Sequence, residues 1–176
     1  MRIALMTILA ALASVPATAA PKYRITEIVQ TDARMSGENS VLIALPKDGT
    51  FGGRSYAGSG QQTAEATRNV FARRLQKVSI DSTSGNEVEA GIARAVAGGF
   101  SHFCQLEILH WEDRNTEWSG KRDKIEIKFT LFDAATGKIV RSATISSVSK
   151  YWTFGGDHPQ ELADAHMHVL IDPLFR

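Results

Sequence analysis

The strongest constraint on the fold is the ten-residue stretch KIEIKFTLFD at residues 124–133. Apolar side chains alternate in it with charged or polar ones, a period of two that is typical of a β-strand with one buried face. Such strands belong to antiparallel sheets that have one face in water. The turn sequence DAATGK at residues 133–138 then leads into another strand at about 139–151, so the sequence predicts a long hairpin.

The other elements follow from apolar spacing. A continuous apolar run at residues 41–46 predicts a strand covered on both faces, and residues 102–113 predict another long strand. Helical spacing predicts helices that begin with the capping boxes Ser59–Gln62 and Ser84–Glu87, and a last helix that follows Asp157. The order β-α-β-α-β-β-β-α predicts an α+β fold, with a mixed, largely antiparallel sheet and helices packed on one face.

Residues 1–19 have the pattern of a signal peptide, with a short apolar stretch and a small-residue A-x-A ending that predicts cleavage after Ala19. The apolar stretch is too short for a stable membrane span, and no later stretch is long enough. We therefore expect export to the periplasm, without a lipid-attachment cysteine at the cleavage point. Residues 20–40 are predicted to be a linker or an edge strand, and residues 41–176 a single α+β domain.

The charge balance argues against nucleic acid as a partner. Arg2 is the one charged residue of the signal, so 19 basic and 19 acidic side chains are left in the mature part. A neutral chain has no long-range field that attracts nucleic acid or anionic lipid. The basic residues Arg73, Arg74 and Lys77 lie at the end of a predicted helix, where the helix dipole favours cations.

No local pattern predicts a metal or a cofactor. His102 and His110 would lie ~26 Å apart along a strand, and His166 and His168 are two residues apart on a predicted helix. The single cysteine, Cys104, lies in an apolar strand and is predicted to be buried, with an intermolecular disulfide or a reactive thiol as the alternatives.

Motifs for catalysis are incomplete. Ser101 in GGFSHF lacks the last glycine of a nucleophile elbow, and the glycine-rich loop at residues 52–63 lacks the lysine of a phosphate loop. That loop, with Tyr56 and Ser59, is predicted to be a flexible connection in which Ser59 caps the next helix, or a site for a small anion or polar ligand.

The stretch WEDRNTEWSGKRD at residues 111–123 joins two predicted strands and has three interpretations. It is a structural hairpin, a surface that binds a partner or ligand through its tryptophans, or a hydrolase site with Glu112, Asp113 or Glu117 as acid and base. The aromatic run YWTFGGD at residues 151–157 is a second candidate. The predicted binding residues are Trp111, Asp113, Arg114, Trp118, Tyr56, Ser59, Trp152 and Asp157.

Five motifs, VLIALPKDG, YAGSG, WEDRNTEWSGKRD, DAATGK and TFGGD, resemble an uncharacterised family of bacterial envelope proteins over residues 41–174. Many members are small lipoproteins, and the family is described only by a domain of unknown function. The resemblance implies a fold similar to the N-terminal domain of the Tol system's propeller protein and to curli-secretion-type lipoproteins. It implies binding to envelope components and no assigned catalytic residue.

The leading hypothesis is a non-catalytic periplasmic domain that binds an envelope protein or a polar envelope ligand. One alternative is a periplasmic hydrolase that acts on a glycan or another polar substrate. Another is a structural subunit of an oligomer, in which the C-terminal helix or Trp152 packs against a neighbour. The sequence leaves the oligomeric state open.

Overall fold

The computed structural model describes residues 23–83, 87–113, 123–148 and 159–176, and for residues 159 and 160 the backbone alone. These ranges contain eight strands, three α-helices and a short 3-10 helix at Asp172–Phe175. The helices are α1 (Ser59–Ala72), α2 (Val88–Ala97) and α3 (Pro159–Ile171). The strands are β1 (Tyr23–Gln30), β2 (Ser40–Ala44), β3 (Thr50–Phe51), β4 (Arg54–Ser55), β5 (Lys77–Asp81), β6 (His102–Glu112), β7 (Lys124–Asp133) and β8 (Ile139–Val148).

Six strands form one mixed sheet in the order β1-β8-β7-β6-β2-β5. The run from β1 to β6 is antiparallel, whereas β2 is parallel to both β5 and β6. The predicted mixed and largely antiparallel sheet is therefore confirmed, with the predicted order of its main elements. Within residues 20–40, predicted to be a linker or an edge strand, β1 forms one edge of the sheet. One feature goes beyond the prediction: β3 pairs with β4 in a small hairpin at the start of the glycine-rich loop.

The main core lies between one face of the sheet and the helices α1 and α3. The alternation in β7 produces it, because Ile125, Ile127, Phe129 and Leu131 are all 0% exposed. A second, smaller cluster lies on the opposite face, where α2 covers apolar side chains of β2, β6 and β7. The helices were expected to share one face of the sheet. This holds for α1 and α3, whereas α2 packs on the opposite face. The reason is that β2 is apolar on both faces and needs cover on both.

Gly91 allows α2 to lie close to the sheet. A Cβ at this position would be 2.1 Å from the Phe103 ring, so the ring occupies the space that a side chain would fill. The helix therefore packs against β6 through backbone rather than through a side chain.

The basic residues at the end of α1 make contacts within the fold. Arg73 Nη1 lies 2.9 Å from His168 Nε2, and Arg74 Nη2 lies 3.5 Å from an Asp172 carboxylate oxygen. Lys77 donates to the backbone carbonyl groups that follow α2, at 2.6 and 3.1 Å. These contacts support the structural interpretation of the cluster and connect α1 with α3 and with the loop after α2.

Candidate partner-binding surface at the end of strand β6

Gly49 is the point where three of the predicted binding residues meet. Its N–H donates to Ser59 Oγ at 2.8 Å, and its carbonyl accepts the N–H of Tyr56 at 3.0 Å. A Cβ at Gly49 would lie 2.4 Å from Trp111 Cβ and 2.8 Å from Ile108 Cγ2. The glycine-rich loop therefore lies directly against the end of β6, and its backbone is fixed there by hydrogen bonds on both sides.

Trp111 lies in the core and is 1% exposed, so it presents no face to a ligand. The expectation that its ring forms a binding surface is wrong for this residue. The cause is a bulge in β6: Ile108 pairs with Ile127, but Trp111 pairs with Ile125, so β6 has one extra residue between them. The extra residue moves Trp111 onto the core face and leaves Leu109 49% exposed.

An exposed patch lies beside the buried Trp111 at the end of β6. It consists of Phe51, Leu109 and His110, and we call it the β3–β6 patch. The Phe51 ring is 37% exposed and lies 4.6 Å from the His110 imidazole between centroids, with an interplanar angle of 49°. His110 Nε2 lies 3.4 Å from Glu112 Oε2. The patch thus combines two apolar side chains with one titratable ring on a rigid base.

Ser59 has a different role from the predicted one. It is 1% exposed, its hydroxyl accepts the Gly49 N–H, and it makes no side-chain cap to α1. The helix N-cap is Gly58, at φ 85°, and Asp48 Oδ1 accepts the N–H of Gly60 at 2.9 Å. The Ser59–Gln62 capping box is therefore wrong, because a carboxylate of the chain itself already occupies this helix end. An anion would meet that negative charge.

The remaining predicted residues divide into two groups. Tyr56 is partly buried against the main core, and Asp113 follows the last residue of β6 and is partly exposed. Arg114, Trp118, Trp152 and Asp157 lie outside the described residues, as do Glu117 and Ser84.

The acidic residues of the hydrolase interpretation are only partly described. The Glu112 side chain is 8% exposed, and one of its oxygens faces His110. A catalytic acid needs contact with substrate, and the nearly complete burial of Glu112 does not favour this role. On the same sheet face, Glu107 and Lys128 form a cross-strand ion pair at 2.9 Å.

In the described parts of the chain, two serine hydroxyls, those of Ser101 and Ser147, lie within hydrogen-bond distance of a histidine, and each of them contacts another element of the fold. Ser101 Oγ accepts the N–H of Ser40 at 2.8 Å and lies 3.0 Å from the Ser40 carbonyl and 2.8 Å from His102 Nδ1. His166 Nε2 lies 2.8 Å from Ser147 Oγ, and both residues are at most 3% exposed. Burial lowers the pKa of His102, and it lowers the pKa of His166 to about 4. Ser147 is buried, and Ser101 is partly buried with its hydroxyl held by the Ser40 backbone.

Cys104 is 0% exposed, and burial raises the pKa of its thiol. The predicted buried position is confirmed, and the thiol is protonated at neutral pH. Within the part of the chain that the structure describes, no cluster of His, Cys, Asp or Glu could hold a metal ion. Among the same residues, none of the helices is long and apolar enough to cross a membrane.

Comparisons with other proteins add a family and a fold. A family model described as a domain of unknown function, DUF4823, matches residues 15–174. No curated protein matches the chain. Two crystal forms of PelC from Paraburkholderia phytofirmans, the second with one leucine replaced by methionine and both described as dodecamers, match with TM-scores of 0.69 and 0.67. The two PelC chains are 13% and 14% identical to this chain. Each match covers 88% of this chain, and it covers 99% and 98% of the respective PelC chain.

Lipoprotein GNA1162 from Neisseria meningitidis matches with a TM-score of 0.46 and 10% identity, over 77% of this chain and 97% of its own. That TM-score is too low to support an argument. At 13% and 14% identity, the similarity to PelC shows a shared fold and no more. The predicted likeness to the Tol propeller protein stays a prediction.

Proposed function

The chain belongs to the DUF4823 family, whose description assigns no activity, and from this premise we propose a non-catalytic cell-envelope domain that binds a partner protein. The observation that carries the proposal is the β3–β6 patch, where Phe51 and Leu109 are 37% and 49% exposed on a fixed base. The signal-peptide pattern at residues 1–19 supports the location.

The physical basis of the proposal is preorganisation. Gly49 holds the loop against Trp111 and Ile108, so the side chains of the patch are presented without a large loss of loop entropy on binding. A few well-packed side chains near the centre of a protein interface contribute most of its affinity, and aromatic side chains are frequent among them. Glu112 and His166 are buried and contact His110 and Ser147 within the fold, which favours binding over catalysis by these two groups.

A crosslinking experiment tests this function. A photoreactive amino acid replaces Phe51 in cells that export the chain, and a matched control replaces Val96, which is 55% exposed on α2. We expect one discrete adduct from position 51 and none of the same size from position 96. Equal labelling from both positions, or no adduct from position 51, contradicts the proposal.

Substitutions give an independent measure. Phe51→Asp and Leu109→Asp are expected to weaken capture of that adduct partner by about fivefold or more, since hot-spot truncation costs over ~1 kcal/mol. Val96→Asp is expected to leave capture unchanged. All three side chains are exposed, so folding is expected to change little.

The PelC structures are dodecamers, which supports self-association as a second proposal for this fold. Self-association needs a surface of this chain that complements a second copy. The edge of the sheet offers one.

A further inference from the structure

Strand β1 is a long edge strand with exposed side chains. It pairs with β8 on one side, and among the described residues no strand pairs with its other side. Tyr23 is 45% exposed and Ile28 is 56% exposed. The opposite edge, β5, is only five residues long, and both of its terminal residues, Lys77 and Asp81, are charged. Short edges resist pairing with another chain, whereas β1 has eight residues, YRITEIVQ, of which Arg24 and Glu27 are charged and none is proline.

A bulge limits the part of β1 that can pair. Glu27 pairs with Ala143 and Val29 with Ser142, so Ile28 is an extra residue in this strand. Regular pairing on the outer side is therefore available to the five residues Tyr23–Glu27.

We propose that two copies of the chain pair their β1 strands antiparallel, about a two-fold axis that passes between the two Ile25 residues. The two six-stranded sheets then become one continuous sheet across the dimer. This association is independent of the β3–β6 patch and goes beyond the binding of a different partner protein.

The faces of the sheet restrict the register. Ile25 contacts the main core, whereas Arg24 and Thr26 point to the other face and are exposed. A continuous sheet needs core-face residues opposite core-face residues, which excludes every register that is shifted by one. Three registers near the centre of the segment satisfy this condition, with Arg24, Ile25 or Thr26 on the two-fold axis.

Cross-strand chemistry selects among these three, and the register with Arg24 on the axis is excluded because it places two guanidinium groups opposite each other. With Ile25 opposite Ile25, Tyr23 lies opposite Glu27 and Arg24 lies opposite Thr26, so no like charges meet and the central pair is β-branched. With Thr26 opposite Thr26, Ile25 would face the Glu27 carboxylate and Arg24 would face Ile28. The register with Ile25 on the axis leaves no aliphatic side chain opposite a charge.

Disulfide trapping tests the register. Ile25→Cys places two thiols directly opposite each other, whereas the thiols of Tyr23→Cys in two copies would lie ~13 Å apart. We expect Ile25→Cys to form a disulfide-linked dimer on mild oxidation, and a mixture of Tyr23→Cys with Glu27→Cys to form the mixed dimer. Tyr23→Cys alone is expected to form no disulfide. The native Cys104 is buried and serves as an internal background in every sample.

The control is Val96→Cys on α2, whose 55% exposure exceeds that of the partly buried Ile25, so accessibility alone would favour the control. At about 100 µM protein, neighbouring thiols in a dimer have an effective concentration in the mM range, so Ile25→Cys is expected to crosslink at least about tenfold faster than Val96→Cys. Equal rates overturn the proposal. Crosslinking of Tyr23→Cys with itself at the rate of Ile25→Cys overturns the register.

A charge substitution on the exposed face tests the same pairing without thiols. Thr26→Glu places a carboxylate opposite Arg24 of the second copy and is expected to lower the dimer Kd by about two- to thirtyfold, since the two-fold axis repeats the pair. Thr26→Lys is expected to raise the Kd by a similar factor. Sedimentation equilibrium measures both, and a Kd that does not distinguish Glu from Lys, or a monomer for every variant, overturns the proposal. The crosslinking test at Phe51 is unaffected by either outcome.

Discussion

Substitution of Gly49 by alanine tests whether backbone contact between the loop and β6 holds the candidate surface in place. The added Cβ would lie 2.4 Å from Trp111 Cβ and 2.8 Å from Ile108 Cγ2. Both distances are far below ordinary van der Waals contact, and neither neighbour can move away easily, since Trp111 is 1% exposed. The loop must therefore shift away from β6.

The expected cost follows from two contributions. Overpacking of a well-packed site costs ~1–3 kcal/mol. A shift of the loop also weakens the hydrogen bonds to Ser59 and from Tyr56, which contribute ~0.5–1.5 kcal/mol each when intact. Because part of this loss is recovered as the loop relaxes, Gly49→Ala is expected to lower the free energy of unfolding by about 2–4 kcal/mol.

Urea unfolding followed by tryptophan fluorescence measures this change. Gly37→Ala is the matched control, because a Cβ there would lie 3.7 Å from the nearest atom, the Arg74 carbonyl oxygen, and its φ is outside the left-handed region. The control is expected to change stability by less than about 0.5 kcal/mol. A Gly49→Ala protein as stable as the Gly37→Ala protein would refute the contact argument.

Three further predictions concern buried groups. Burial lowers the pKa of His166 to about 4 from an ordinary 6.5, so the unfolded chain binds a proton more tightly than the folded one. As the pH falls from 7 to 4, the free energy of unfolding of the wild type should therefore decrease by about 3 kcal/mol relative to that of His166→Gln. Parallel curves of stability against pH from chemical denaturation would contradict this. The Cys104 thiol, buried and with a raised pKa, should react with iodoacetamide only after unfolding; labelling of the native protein at the rate of a free thiol would show otherwise. Gly91→Ala should destabilise the fold by about 1–3 kcal/mol in thermal unfolding because its Cβ would enter the Phe103 ring, and an unchanged Tm would mean that α2 can move away freely.

The strand patterns predicted much of the fold because a strand that buries alternate side chains has apolar residues at alternate positions of its sequence. The alternation of β7 corresponds to four side chains with no exposed area, and the apolar run of β2 corresponds to a strand with cover on both faces. The same run explains why α2 lies opposite α1. A strand that is apolar on both faces needs cover on both faces of the sheet, and one layer of helices covers only one.

The bulge in β6 also corresponds to a change in the spacing of apolar residues in the sequence. Cys104, Leu106 and Ile108 follow a period of two, and the next large apolar residue on the core face is Trp111 rather than His110. This change of parity indicates an extra residue in the strand, and with it the core position of Trp111.

The contact of Gly49 with Trp111 could not be predicted. The two residues are far apart in sequence, and four other glycines, Gly52, Gly53, Gly58 and Gly60, follow Gly49 within eleven residues. Which glycine must lack a side chain depends on how the loop crosses β6, a property of the tertiary packing. The role of Ser59 depends on the same packing, because its hydroxyl accepts an N–H from Gly49 rather than from its own helix.

The extra residue at Leu109 also affects how sequences of this family are compared with one another. A relative without that residue has a regular strand, in which the side chain aligned with Trp111 still lies opposite the one aligned with Ile125 on the core face when the gap is placed at Leu109. If the gap is placed after β6 instead, the core residue of that relative is aligned with His110, which lies opposite Glu126 on the other face. Sequence relationships at this end of the sheet need to be read in strand register, with the gap placed inside β6 rather than in the hairpin that follows it.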